Sequence, residues 1–178
     1  MKRINFPGAV LICALLSVCG SAKAQKETKV FSAGFGLEAG TPLGDAKTAY
    51  HFTAGLSIRF SYHAGPGFIT LSSGVFAYVP KSGEGKSTKA SLQIPIKAGY
   101  KYVFYKPFFV MGEIGYSSFR VYYAGIDNNL ASNSTGGFTF APSIGVSFDA
   151  FEVGIKYEST SLSGGTLSTV GLRLGFNF

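Results

Sequence analysis

Charged residues and long hydrophobic runs are both scarce in this chain. Only 14% of its 178 residues are charged, whereas 46% are hydrophobic and 15% are aromatic. Soluble domains carry about 25% charged residues, so this chain has too few charged side chains to cover the surface of an ordinary soluble protein. The many Phe and Tyr residues exclude a disordered chain, and no stretch approaches the roughly 18 consecutive apolar residues of a spanning helix. These absences together favour a membrane protein that spans with strands.

Cysteine is limited to Cys13 and Cys19, which both lie in a segment with the features of a signal peptide. That segment has a basic start, a short apolar run, and an A-x-A motif at Ala22 and Ala24 that predicts cleavage before Gln25. We therefore predict a signal peptide over 1–24 and one exported domain over 25–178. The exported domain then has no cysteine for a disulfide or a thiolate metal site.

An alternative interpretation concerns the fate of Cys19. Leu16-Ser17-Val18-Cys19 resembles the lipoprotein box that directs acylation of a cysteine. Val18 stands where a small residue is usual, which argues against acylation.

Positive charge is modest and dispersed once the predicted signal peptide is set aside. Three of the 16 Lys and Arg residues belong to it, which leaves 13 against 9 acidic residues. No cluster of the kind that follows a phosphate backbone remains, so we expect no nucleic-acid partner. Two histidines without a mature cysteine make no ligand set, so we expect no metal and no cofactor.

Large apolar residues recur at every second position from Phe31 to the end of the chain, which is the period of a β-strand. In one run, small or polar residues separate the apolar residues Tyr50, Phe52, Ala54, Leu56, Ile58, Phe60 and Tyr62. The pattern predicts about eight strands, each near the 9 to 11 residues that cross a bilayer at a tilt. We therefore predict an all-β fold, an eight-stranded antiparallel up-and-down transmembrane β-barrel.

The connections between the predicted strands alternate in length. We predict short turns at 63–67, 103–107 and 149–150, and longer polar loops at 41–49, 80–88, 124–137 and 159–167. Short turns at one end and long loops at the other are typical of outer-membrane barrels.

Apolar and polar side chains would also alternate along the strands of a secreted soluble ligand-binding β-barrel, but there the apolar face points inward. Here the polar face is mostly Gly, Ser and Thr, which suit a narrow lumen better than a solvated exterior. Aromatic residues near the short-turn end predict an interfacial girdle of Phe60, Tyr62, Tyr100, Tyr102, Phe108, Phe148, Phe151, Phe176 and Phe178. Pro95 and Pro142 oppose the strand pattern, so we expect a β-bulge at each.

Six charged residues fall on the predicted inward face: Glu38, Lys97, Glu113, Lys156, Glu158 and Arg173. Buried charges are normally paired, so we interpret these as a structural ion network that fills the lumen. A proton or substrate site is the alternative. We expect Lys97 and Glu113 to pair at equal height on neighbouring strands.

An enzymatic barrel would need a nucleophile with a base in reach. His51 is predicted at the long-loop rim with Thr53 and Ser57 on the same face, whereas His63 is predicted in a short turn. A lipid-modifying outer-membrane enzyme is therefore the alternative function, and we predict no enzymatic activity and no catalytic residues.

Three segments resemble the PorT-like outer-membrane β-barrel domain proteins of Bacteroidetes. They are Leu92-Gln93-Ile94-Pro95-Ile96-Lys97-Ala98-Gly99-Tyr100, Lys106-Pro107-Phe108-Phe109, and Gly175-Phe176-Asn177-Phe178. The resemblance implies the outer membrane of a bacterium, and Phe176 and Phe178 as a C-terminal signal read by the barrel assembly machinery. It also implies an association with secretion for some relatives.

We therefore expect a non-enzymatic outer-membrane protein that is an envelope structural or loop-mediated interaction component. The expected partners are outer-membrane lipid, the assembly machinery, and envelope or secretion proteins. Among the predicted loops, 124–137 is the favoured interaction segment because loops vary without cost to the scaffold.

Overall fold

The fold is a closed antiparallel β-barrel in which each strand pairs with the next and the last pairs with the first. A computed structural model describes residues 30–81, 90–124 and 130–178. The eight strands are β1 (Phe31–Leu43), β2 (Tyr50–Ala64), β3 (Gly67–Pro80), β4 (Ser91–Tyr105), β5 (Phe108–Ala124), β6 (Leu130–Ser147), β7 (Phe151–Leu162) and β8 (Gly165–Asn177). One short helix, α1 (Ala46–Ala49), follows β1. The predicted fold is confirmed, whereas the predicted signal peptide, with Ala22, Ala24 and Gln25, lies outside the described residues.

The two faces of each strand are inverted relative to a soluble barrel. On β2, for example, Leu56 is 63% exposed on the outer face, while its successor Ser57 and then Arg59 are buried in the lumen. The strand period places successive side chains on opposite faces, so the apolar set points outward and the polar set inward. Within the described residues, no helix is long and apolar enough to cross a membrane.

Closure of the barrel depends on the last residues of the chain. The Phe178 amide donates to the Ala33 carbonyl at 2.9 Å, and the Ala33 amide donates to the Phe178 carbonyl at 3.2 Å. Ten residue pairs then join β1 to β8, from Gly34–Asn177 to Leu43–Ser168. The β1 and β8 edges are thereby paired with each other, which removes two strand edges that would otherwise be open to aggregation.

The short turns are confirmed, but two of the predicted long loops are wrong. The turns between β2 and β3 and between β4 and β5 each contain two residues, Gly65-Pro66 and Lys106-Pro107. At the opposite end, β7 and β8 pair up to Leu162–Gly165, which leaves a two-residue connection where 159–167 was predicted to loop. In the same way, β5 and β6 pair up to Ala124–Leu130 inside the predicted loop 124–137.

The physical reason is that polar residues do not by themselves prevent strand pairing. Ser and Thr occur in both hairpins, at 159–161 and 166 and within 132–135, and Thr has a high strand propensity because its side chain branches at Cβ. Extension of the ladder also pairs backbone groups that would otherwise need water.

Neither proline produces the expected bulge. The β3–β4 pairing stops at Ser73–Ile96 and resumes at Phe76–Gln93 in the same register. The β6–β7 pairing likewise stops at Phe140–Ser159 and resumes at Ser143–Lys156 without a shift. The missing N–H of proline therefore interrupts the ladder locally and does not displace the strand, and the Ser73 hydroxyl donates to the Pro95 carbonyl at 2.9 Å.

A register shift does occur in β2, between Tyr50 and Phe52. It turns Tyr50 into the lumen, against the outward placement that simple alternation predicts. There the Tyr50 ring packs edge-on against Tyr78 and Phe119, with centroid distances of 5.5 and 6.2 Å. Together with Phe76 and Leu167 these rings form a hydrophobic cluster, which we call the rim cluster.

Candidate functional site: the charged lumen

The lumen holds the six predicted charges and three more. All six predicted residues point inward, and the structure adds Arg59, Lys101 and Glu152 on the same face. The same alternation contained the signal for the three missed residues, since each is flanked by outward apolar neighbours such as Ile58 and Phe60. Lys101 and Glu152 lie nearer the short-turn end than the six predicted charges, whereas Arg59 is in register with Lys97 through Ser72.

Glu158 is the centre of the network on the long-loop side. Its carboxylate accepts from Lys97 Nζ at 2.5 Å and from Gln93 Nε2 at 3.0 Å, and Lys156 Nζ lies 3.1 Å away. Lys156 also donates to Glu38. Lys156 therefore joins the carboxylates of Glu38 on β1 and Glu158 on β7, so each buried charge on this side has a partner of opposite sign.

Glu152 is the centre on the short-turn side. Its two oxygens receive three cations: Arg59 Nη1 at 2.6 Å, Arg173 Nη1 at 2.9 Å and Lys101 Nζ at 2.5 Å. These residues come from four different strands, so one carboxylate ties β2, β4, β7 and β8 together across the lumen. Glu152 is 2% exposed, and little water is available to replace a lost partner.

Glu113 lies between the two centres and is not the main partner of Lys97. Its Oε1 accepts from the Ser72 hydroxyl at 2.6 Å, while Lys97 Nζ is 3.8 Å from Oε2 and Arg59 Nε is 3.9 Å from Oε1. The predicted equal height is wrong, because Lys97 faces Gly115 across β4 and β5 and Glu113 faces Gly99, although the two side chains still form this longer ion pair. The two side chains are thus diagonal neighbours, but Glu113 does point inward as expected.

Hydroxyl and amide groups continue the polar network toward the long-loop rim. Tyr78 donates to Gln93 Oε1 at 2.6 Å, and Gln93 Nε2 lies 3.2 Å from Thr160 Oγ1. Thr139 donates to Ser117 at 2.6 Å and lies 2.9 Å from the Thr160 hydroxyl. Above this layer, the rim cluster places apolar rings across the lumen.

The lumen is filled by these side chains. Two of its cavities have volumes of about 20 and 10 Å³, the first beside Tyr78 and the second beside Glu113. A single water needs about 10 to 15 Å³, so each is of the size of one or two water molecules. Neither of these two cavities, within the part of the chain that the structure describes, has space for an organic solute.

The histidine-based alternative gains no support from the geometry. His51 is exposed beside the register shift, whereas Thr53 and Ser57 are buried in the lumen, so the three do not form one site. His63 is exposed at the short-turn end, where its ring lies edge-on to Phe68 at 5.2 Å. Among the described residues, no group of His, Cys, Asp and Glu is placed to hold a metal ion.

The outer surface carries the predicted aromatic girdle. Eight of its nine predicted members are between 39% and 56% exposed, and Phe151 is half-buried. Phe176 and Phe178 stand at the seam, where Phe178 packs on Phe35 with a centroid distance of 5.5 Å and Phe176 on Phe151 at 5.4 Å. The C-terminal aromatics therefore belong to the girdle itself.

Solved structures with a similar fold include eight-stranded outer-membrane barrels of bacteria. The N-terminal β-barrel domain of OprF from Pseudomonas aeruginosa matches with a TM-score of 0.62 and 13% identity, over 83% of this chain and 97% of that one. Ail, the attachment invasion locus protein of Yersinia pestis, solved with the heparin analogue sucrose octasulfate, matches with a TM-score of 0.58 and 15% identity, over 83% and 96%.

Neisserial surface protein A has a TM-score of 0.56 and 10% identity, over 84% of this chain and 96% of that one. No protein-family model and no curated protein matches the sequence. At these low sequence identities, the similarity to the solved structures is a similarity of fold alone.

Proposed function

We propose that this chain is a non-enzymatic outer-membrane β-barrel that acts as an envelope component through its long-loop end. The observation that carries the proposal is the inverted barrel, with apolar side chains such as Leu56 and Ile96 more than 60% exposed and ion pairs buried inside. Such an exterior is unfavourable in water and favourable in hydrocarbon. The similar folds of bacterial outer-membrane barrels also support an outer-membrane location.

A transport role is a weaker candidate. Eight-stranded barrels have interiors that side chains fill, unlike the wider porins, and the lumen of this one is crossed by ion pairs and by the rim cluster. The function then lies on the surfaces outside the bilayer.

The interaction surface that we propose is built from the hairpins at the long-loop end. The β7–β8 hairpin presents Ser161, Ser163 and Thr166 as exposed polar residues, and the β5–β6 hairpin presents Ser134. The β5–β6 pairing continues to Ala124–Leu130, while the highest β6–β7 pair is Phe138–Ser161. Paired strands of this kind offer a partner a polar surface, and the resemblance to PorT-like proteins supports an envelope or secretion protein as that partner.

Location and orientation are tested by cysteine labelling of cells, since Cys13 and Cys19 both lie in the predicted signal peptide. We expect Ser163→Cys, in the β7–β8 turn, to react with a membrane-impermeant maleimide on intact cells. Lys106→Cys, in the β4–β5 turn, should react only after the outer membrane is permeabilised. Recovery of the protein from the soluble fraction, or labelling of both positions in intact cells, would contradict the proposal.

The interaction role is tested by crosslinking and pull-down from cells that express the full chain. We expect shortening of the β7–β8 hairpin by removal of 161–166 to abolish specific crosslinks while the barrel stays in the membrane. His51→Ala is the control for the enzyme alternative, and it should leave the lipid composition and the crosslinks unchanged. A lipid modification that depends on His51, with unchanged crosslinks in the hairpin variant, would replace our proposal by the enzyme.

A further inference from the structure

Two buried polar atoms in the centre of the lumen, one a hydrogen-bond acceptor and the other a donor, lack partners in the described part of the chain. Glu113 Oε2 and Arg59 Nε both have no hydrogen-bond partner among the described residues. The first can only accept a hydrogen bond and the second can only donate one. Glu113 is 1% exposed and Arg59 is 5% exposed, so bulk solvent does not reach them. An unsatisfied buried polar group costs about 1 to 3 kcal/mol, which makes two such atoms on facing side chains unusual.

Both residues line the same small cavity. Its other walls include Ser57, Ser72 and Lys97, and its volume is about 10 Å³. Arg59 Nε lies 3.9 Å from Glu113 Oε1, and Lys97 Nζ lies 3.8 Å from Glu113 Oε2. These separations are too long for direct hydrogen bonds, and polar groups beyond about 3.5 Å can be joined through a water molecule that lies beside both of them.

We propose that this cavity binds one ordered water molecule that bridges Arg59 and Glu113. The water accepts from Arg59 Nε and donates to Glu113 Oε2, and it has a third neighbour of suitable chemistry in Lys97 Nζ. Buried waters normally make about three hydrogen bonds to groups that lack other partners. The cavity is close to the size of one water and too small for an organic ligand.

Other occupants fit the cavity less well. A cation would sit against Arg59 and Lys97, and an anion would sit against the carboxylate of Glu113. Only water supplies both a donor and an acceptor without adding charge. The bridge adds a second link between the Glu152 centre, through Arg59, and the Glu158 centre, through Lys97. The first link runs through Arg173, which is 2.9 Å from Glu152 and 3.5 Å from Glu38.

The experiment is solution NMR of the folded mature protein in lipid nanodiscs, with arginine labelled at Nε. We expect a cross-relaxation peak between the Arg59 Nε proton and a long-lived water, assigned by its disappearance in Arg59→Lys. Ser57→Thr adds one methyl group to the cavity wall and should remove the water contact while the Arg59 Nε signal remains. Ser91→Thr, a buried lumen position outside the cavity wall, is the matched control and should retain the contact.

Absence of the water contact in the unaltered protein overturns the proposal, as does an undiminished contact in Ser57→Thr. Because that variant could fail to fold, a crystal structure of the unaltered protein grown in sodium bromide is an independent test. Density for a water within about 3.2 Å of both atoms supports the proposal. Anomalous bromide density at the position, or direct contact of the two side chains, overturns it.

Discussion

Lys97 on β4 contacts Glu158 across the lumen, with Nζ 2.5 Å from Oε2. Glu113, on the adjacent strand β5, is farther away, with its Oε2 3.8 Å from the same Nζ. A double-mutant cycle should therefore find strong coupling between Lys97→Met and Glu158→Gln in unfolding by urea. Each single change removes the shortest ion pair of a buried charge but leaves a second partner, Lys156 for Glu158 and Glu113 for Lys97, so we expect a cost of about 1.5 to 3 kcal/mol. The double variant should cost much less than the sum.

The matched control is the cycle of Lys97→Met with Glu113→Gln, in which the longer separation should give a smaller interaction energy. Equal or stronger coupling to Glu113 would show that the ion pair to Glu158 does not dominate.

Glu152 is the residue whose loss should destabilise the short-turn half of the barrel most. Glu152→Gln removes the only carboxylate partner of Lys101 among the described residues and leaves Arg59 and Arg173 with longer ion pairs, to Glu113 at 3.9 Å and Glu38 at 3.5 Å. Three buried cations then share too little negative charge, and we expect a loss of about 3 to 5 kcal/mol. Lys101→Met should cost less, because the two arginines still neutralise the carboxylate and repulsion among the cations falls. The free energy of unfolding in detergent measures both. A Lys101 variant less stable than the Glu152 variant would refute this account of the cluster.

The rim cluster should behave as a packed core inside the barrel. Phe119 is 4% exposed and packs on Tyr78 with a centroid distance of 5.4 Å. Phe119→Ala should therefore leave a cavity and cost about 3 to 5 kcal/mol. Phe140→Ala on the outer face is the control, since Phe140 is 45% exposed and lipid can fill the space. Equal losses of unfolding free energy would show that the rim cluster is not close-packed.

The C-terminal aromatic residue should matter more for assembly in cells than for stability. Phe178→Ala keeps the backbone bonds to Ala33 that close the seam, so refolding in detergent should be nearly normal. The amount of barrel assembled in the outer membrane of cells should fall several-fold if the assembly machinery reads this residue. Phe148→Ala, a girdle position away from the terminus, is the control. Equal assembly of both variants would argue against a C-terminal signal.

Most of the barrel could be predicted from the sequence because one face of each strand is nearly uniform. Alternation as regular as that from Leu56 to Phe60 determines both the strand and its orientation. The ends were harder to predict, since Ser and Thr near Ser161 are compatible with either a loop or a strand.

The partners within the lumen could not be predicted for a geometric reason. Lys97 and Glu158 belong to strands on different parts of the barrel wall, β4 and β7, and their contact depends on the length of the side chains and on the narrowness of the lumen. Neither quantity is visible in a local pattern. The inward turn of Tyr50 likewise depends on a register shift that alternation does not reveal.

Depth-dependent fluorescence quenching in lipid vesicles measures whether the apolar exterior of the barrel lies in hydrocarbon. The chain has no tryptophan, so Leu56→Trp at mid-height and Tyr62→Trp in the girdle each provide a single probe. In vesicles of brominated lipids, Leu56→Trp should be quenched most by bromines deep in the acyl chains, and Tyr62→Trp most by bromines near the headgroups. A folded protein in which Leu56→Trp is unquenched at every depth would contradict the transmembrane barrel.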